Sequence, residues 1–179
     1  MQHFPILELL SAPADSQPLL EATQKSSGRI PNLFAVMAAA PGLLAGYQQL
    51  HQLVMQNSFN ATEKTVVWQT INQEHGCHYC VPAHSAIAAM LKVDPAIDKA
   101  LRQQQELPEP LNALRHFTLL MVRQRGQVSE NDVETFLAAG YQPRQVLEII
   151  QMLAQKVMSN YTNHLAQTPV DHMFKAYQA

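Results

Sequence analysis

Cys77 and Cys80 stand three residues apart, and His84 follows four residues after the second; the chain has no other cysteine. The thiolate, not the thiol, is the nucleophile, and a cysteine of pKa about 8.5 is only ~3% ionised at pH 7. A reactive pair therefore needs a device that lowers a thiol pKa. Pro82 would clash with the preceding turn in a helix interior but is tolerated in a first turn, and Gly76 is a break. The helix carrying the pair is thus expected to begin close to Cys77. Both thiols then sit at its N-terminal end, whose partial positive charge favours a thiolate. At 100° per residue, Cys77, Cys80 and His84 fall within a wedge of roughly 60°. His84 is placed to hydrogen-bond a thiol, most readily Cys80 one turn earlier. It acts as a base when neutral and as a counter-charge when protonated. Helix positions i and i+3 also lie near enough for a disulfide, so the set suits reversible dithiol–disulfide chemistry. Glu74, three residues before Cys77, is the carboxylate in local reach.

Other readings fit the same residues. Cys77, Cys80 and His84 with one of His75, His78 or Glu74 would make a four-ligand zinc site, or the thiols are inert core cysteines. The chain has no second CxxC pair, which weighs against zinc, and no metal is expected. His75 and His78 read as solvent-facing.

The elements that must hold this site are helical. Pro31 opens and Pro41 closes a short helix over Leu33, Phe34, Val36 and Met37. Leu43, Leu44, Tyr47, Leu50 and Val54 give the next. Asn60 and Thr62 are cap types ahead of Val66, Val67, Thr70 and Ile71, and Gly76 ends that helix. The cysteine helix is expected from about Cys77 to Lys92. Asp94 and Pro95 start a short one ending near Leu101, and Leu111 to Met121 form another, closed by Gly126. Ser129 caps the next, closed by Gly140, and Pro143 starts a long last helix through Leu165. Before Gly28, Leu19 to Lys25 are expected to form one or two helical turns. No segment alternates with period two. The fold class is all-α, about eight helices, with residues 1–28 as an N-terminal extension and 29–179 as one domain.

Composition narrows the function. Hydrophobic residues make up 47% and charged ones 15%, below the usual quarter, which argues against disorder. Twelve basic and fourteen acidic residues give a net charge of −2, so the basic footprint of a nucleic-acid binder is missing. No apolar run reaches the ~20 residues of a membrane-spanning helix, and no membrane partner is expected. Met1 to Leu20 holds no Lys or Arg and does not read as a signal peptide. The expected compartment is the cytoplasm, where thiols stay reduced.

The chain resembles the AhpD-like, carboxymuconolactone decarboxylase superfamily. The resemblance rests on Cys77, Tyr79, Cys80, Ala83 and His84, which spell its CxYCxxAH box. It extends to the run Gly28, Arg29, Ile30, Pro31, Asn32, Leu33, Phe34, with Pro41 following, as in the peroxidase-related branch. It also takes in the run Ser159, Asn160, Tyr161, Thr162, Asn163, His164. Together these span most of the chain from Gly28 to Phe174. The resemblance implies an all-α fold, a cysteine-dependent peroxidase or disulfide reductase, and homo-oligomers, commonly trimers or hexamers. Its partners would be a hydroperoxide substrate and an external dithiol or thiol-protein reductant, with no cofactor. The superfamily's lactone decarboxylases lack the cysteine pair, so their activity is not implied. The superfamily's proton-relay glutamate usually lies about twelve residues before the first cysteine, which is Thr65 here. Glu63 is two residues off, turned ~200° away on a helix, and reads as a first-turn acid. The relay is thus either rebuilt on Glu74 or missing, and the expected catalytic set is Cys77, Cys80, His84 and Glu74, with Cys80 attacking the peroxide and Cys77 resolving. The rival reading is a non-enzymatic redox-sensing or metal-binding helical oligomer.

Overall fold

Prolines, glycines and small polar caps divide the chain. The structure, a computed structural model, describes residues 3–178. Nine α-helices and two short 3-10 helices are found among them, and no strand. The helix α1 (Gln17–Ser27) ends on Gly28, whose left-handed φ of 76° closes the last turn. Next come α2 (Asn32–Met37) and α3 (Pro41–Met55), the latter with proline in its first turn. The helix α4 (Ala61–Glu74) is opened by a reciprocal cap: Asn60 Oδ1 accepts from the Glu63 amide, and Glu63 accepts from the Asn60 amide. Then follow α5 (Cys80–Met90), α6 (Pro95–Arg102), α7 (Leu111–Arg123), α8 (Glu130–Ala138) and the 24-residue α9 (Pro143–Ala166). The 3-10 helices are Leu9–Ser11 and His172–Tyr177. None of the described helices is long and apolar enough to cross a membrane.

Two boundaries differ from expectation. The helix α1 runs eleven residues rather than one or two turns. It gains its extra length from tertiary burial, because Leu20 is 0% exposed and Ser16 donates to the Ala38 carbonyl at 2.7 Å. The helix α5 starts at Cys80 rather than Cys77. Gly76 takes φ 62°, which turns the chain out of α4. Cys77 then serves as a cap instead of a helical residue: its Sγ accepts from the Cys80 amide at 3.3 Å and its carbonyl from the Val81 amide at 3.1 Å.

The helix α4 is the axis of the molecule. Every residue from Lys64 to Asn72 is buried, so this helix has neighbours all round. One core cluster joins Trp68 and Ile71 to Leu114, Phe117, Phe136, Ile149 and Met152. A second joins Leu20, Leu33, Met37, Leu44 and Tyr47 to Cys77, Cys80 and Phe174. The segment before Gly28 thus packs into the same cluster as the cysteines. The helix α9 spans both clusters. Its first half contributes Ile149 and Met152 to the first, while its second half buries a polar face of Gln155, Lys156, Ser159, Asn160 and Asn163.

Truncating Leu20 should therefore be felt by the whole domain. Leu20→Ala is expected to lower the unfolding free energy by about 2–5 kcal/mol in a single denaturant transition. A loss under about 0.5 kcal/mol, the range of surface changes, would make the segment an appendage.

Candidate redox-active site

The turn after α4 and the polar face of α9 together build the site. Cys77 and Cys80 are free thiols, both buried, with Cys80 2% exposed. Asn163 Nδ2 donates to Cys80 Sγ at 3.2 Å. The neighbouring amides are tied down in turn. Asn160 Nδ2 donates to Asn72 Oδ1 at 3.0 Å, and Asn72 Nδ2 donates to the Cys80 carbonyl at 3.3 Å. Gln155 accepts from Trp68 Nε1 at 2.9 Å and donates to His51 Nδ1 at 2.8 Å. These bonds fix side chains that would otherwise be costly to bury.

The two thiols are driven apart electrostatically. Burial works against ionising Cys80. A hydrogen bond from Cys77, the Lys156 ammonium, and the amides of Asn163 and Asn160 outweigh it and hold the Cys80 thiol below its ordinary range. Cys77, hydrogen-bonded to Cys80 and itself buried, is pushed well above that range. Negative charge is thus favoured on Cys80 and the proton on Cys77, an arrangement in which one proton serves both sulfurs.

His84 does not meet Cys80 as expected. Its Nε2 accepts from Lys156 Nζ at 2.8 Å, its ring lies 4.9 Å from that of Trp68, and its Nδ1 has no protein partner. Burial, with Lys156 and His51 pushing the same way, holds its pKa well below the ordinary histidine value. His84 is therefore neutral at pH 7 and is no counter-charge. Cys80 and His84 do lie one turn apart on α5, but α9 places Lys156 beside the imidazole. His78 is solvent-facing as expected, whereas His75 is not. Half-buried His75 donates to Asn160 Oδ1 at 2.8 Å, and His78, though exposed, donates to the Thr168 carbonyl at 3.0 Å.

The sulfurs face different spaces. Cys80, His84, His51 and Lys156 border a cavity of about 150 Å³ whose other walls include Leu33, Phe34, Tyr47, Ile87 and Phe174. Cys77 lies instead on a more open cleft of about 390 Å³ with Gly76, His78, Pro82 and Tyr177. Tyr79 holds the C-terminal wall in place. Its hydroxyl donates to Asp171 and accepts from the Leu33 amide, and its ring meets Phe174 edge-on at 6.1 Å. Asp171 also accepts from the Asn32 amide at 3.2 Å. Among the described residues, no three His, Cys, Asp or Glu side chains converge as a metal site would require.

No family model matches the chain. A protein from Ralstonia eutropha described as an alkylhydroperoxidase AhpD core, peroxidase-related, superposes with a TM-score of 0.85 at 21% identity, covering 98% of this chain and 96% of that one. The AhpD-like fold is thereby established. The debrominase Bmp8, solved with 2,3,4-tribromopyrrole, is similar too, with a TM-score of 0.76 at 17% identity over 92% of this chain and 89% of its own. Sestrin-2 of mouse and of human is 26% identical over 153 residues, 83% of this chain. The chain spans only 31% of the length of Sestrin-2.

Within this AhpD-like fold no carboxylate stands where a relay glutamate would. Thr65, at the expected position, donates to the Ala61 carbonyl, and Glu63 is spent on the cap of α4. The expectation for Glu74 fails as well. Its carboxylate is gripped by Arg123 Nε and Nη2, both at 2.8 Å, and borders a hollow with Leu101 and Leu119 rather than the thiols. That pairing keeps it ionised, and the last turn of α4 directs it towards α7. The residues that do gather at the sulfur are Lys156, Asn160, Asn163, His51 and Tyr47. A faint signal existed: Lys156, Asn160 and Asn163 recur at i, i+4 and i+7, one face of a helix.

Two variants separate these roles. Asn163→Ala removes a hydrogen bond to a charged sulfur, worth about 1.5–3 kcal/mol, and should raise the pH midpoint of Cys80 alkylation by roughly one unit or more. Glu74→Gln should leave that midpoint unmoved; an upward shift would return Glu74 to the site.

Proposed function

We propose that the protein is a thiol-dependent peroxidase that reduces small organic hydroperoxides through a Cys77–Cys80 dithiol–disulfide cycle. The observation that carries this reading is a stabilised Cys80 thiolate at the end of an apolar cavity, with a protonated Cys77 in hydrogen-bond reach behind it. Cys80 attacks the terminal oxygen of the hydroperoxide. The O–O bond breaks, the alkoxide takes a proton and leaves as alcohol, and Cys80 becomes a sulfenic acid. Cys77 attacks that sulfur, the S–S bond forms, and hydroxide leaves with the Cys77 proton as water. An external dithiol then reduces the disulfide through Cys77, which is itself fully buried beneath a second cleft. Substrate and reductant thus approach from different sides, with no cofactor.

The cavity volume of about 150 Å³ matches one that holds a benzene-sized ligand. Compact aryl or alkyl hydroperoxides are the expected class. The thiol cycle fits a reducing compartment such as the cytoplasm.

The reading includes a homo-oligomer, trimeric or hexameric. On the outer side of α9, Leu147, Ile150, Tyr161 and Leu165 are exposed, and Ala154 and Val157 lie between them. Their steps of three and four residues form the seam along which helices pair. Light scattering should return a multiple of the 20.0-kDa chain, reduced by Leu147→Glu with Leu165→Glu. A wild-type 20-kDa particle at micromolar concentration would overturn this part.

Turnover of cumene hydroperoxide with a dithiol reductant tests the function. Wild type should turn over and Cys80→Ser should not. Cys77→Ser should react once, leaving a dimedone-trappable sulfenic acid on Cys80. Consumption of tribromopyrrole in place of any hydroperoxide would move the reading to dehalogenation. A sulfenic acid formed on Cys77 in Cys80→Ser at the wild-type rate would reverse the roles.

A further inference from the structure

Lys156 lies in the middle of α9 with 1% of its surface exposed. An ammonium has three protons to donate, yet its Nζ makes one hydrogen bond, to His84 Nε2 at 2.8 Å. Among the described residues no carboxylate forms an ion pair with it. A lysine this deep is kept charged only beside an anion. The titratable groups facing it are His51 and Tyr47 of α3, His84 and Cys80 of α5, and Cys77 of the preceding turn. Burial keeps both imidazoles neutral and the Tyr47 phenol protonated. The thiol pair is the remaining source of negative charge. Lys156 and Cys80 border one cavity, so a substrate held against the sulfur also meets the ammonium.

We propose that Lys156 is a further catalytic residue of this site: its ammonium is the counter-ion that holds Cys80 as a thiolate, and it gives its proton to the alkoxide released when the O–O bond breaks. The second half rests on the peroxidase reading; the first does not. The step balances. Hydroperoxide, Cys80 thiolate and Lys156 ammonium become alcohol, Cys80 sulfenic acid and Lys156 amine. Disulfide formation then releases water and leaves Lys156 neutral, with no anion beside it. After the dithiol reductant restores both thiols, the Cys80 proton passes to the amine and the charge pair re-forms. Neutral His84 positions Nζ through its Nε2 throughout. A lysine on α9 thereby takes the proton-donor role in a fold whose relay carboxylate is absent here.

The test uses dithiol protein and no peroxide. Cys80 alkylation by iodoacetamide is followed across pH by peptide mapping in wild type, Lys156→Met and Lys156→Arg, each checked for a native circular dichroism spectrum and melt. Wild type should show a midpoint well below that of an ordinary thiol. In Lys156→Met burial is opposed only by the Cys77 thiol and the Asn163 and Asn160 amides, so the midpoint should rise and the rate at pH 7 fall at least about tenfold, one decade per unit of thiol pKa. Lys156→Arg keeps the charge and should restore much of the low midpoint. A folded Lys156→Met with the wild-type midpoint overturns the proposal. A second measurement needs wild type alone. A Cys80 already ionised at pH 7 contributes no proton on oxidation, so at a fixed electrode potential Cys77 alone would give about a tenfold change in the dithiol–disulfide ratio per pH unit. Release from Lys156 as well makes it about a hundredfold. The tenfold result also overturns the proposal. If the charge effects hold but no hydroperoxide is consumed, the peroxidase reading fails and the counter-ion role stands.

Discussion

Burying a thiolate is the constraint on which this structure turns. Desolvation favours the neutral thiol, and Cys80 is almost wholly removed from water. Charge can stay on the sulfur only if several groups are held against it at once: the Cys77 thiol, the Lys156 ammonium, and the amides of Asn160 and Asn163. None of these comes from the helix that carries Cys80. Cys77 reaches it because Gly76 turns the chain out of α4, and the rest because α9 lays its polar face across α5. The helix α4 underwrites both, through Trp68 and Asn72, which brace Gln155 and Asn160.

The same constraint explains the division of space. A thiolate in an apolar cavity is open to a small electrophile and shielded from larger ones. The turn at Cys77 sets the two cysteines on different hollows, Cys80 on the cavity and Cys77, itself fully buried, beneath the second cleft. The C-terminal 3-10 helix borders both, contributing Phe174 to the cavity and Tyr177 to the cleft. The AhpD-like fold supports more than one chemistry, since a debrominase shares it, so function here must be argued from the site.

The fold was readable wherever a cap or break chemistry acts locally. Pro41, Asn60, Ser129, Gly140 and Pro143 mark their helix ends because proline and glycine restrict or free the backbone and short polar side chains satisfy free amides. The nearness of the two cysteines was readable for the same reason: Cys77, Cys80 and His84 lie on one turn and the helix after it. What surrounds the sulfur was not. Asn163 is 83 residues from Cys80 and Lys156 is 72 from His84; only packing brings them together. Glu74 misled because nearness in sequence says nothing about a helix end turned towards Arg123. Cys77 was misplaced as helical because its sulfur acts as the cap, a role that sequence preferences give to serine, threonine, aspartate and asparagine.

The central claim is that the folded dithiol protein keeps one thiolate, on Cys80. Ultraviolet thiolate absorbance against pH tests it most directly. One thiolate per chain is expected at neutral pH, persisting well into the acid range, absent from Cys80→Ser and unaffected by urea only until the protein unfolds. An absorbance that first rises near the ordinary thiol pKa of about 8.5 would contradict it.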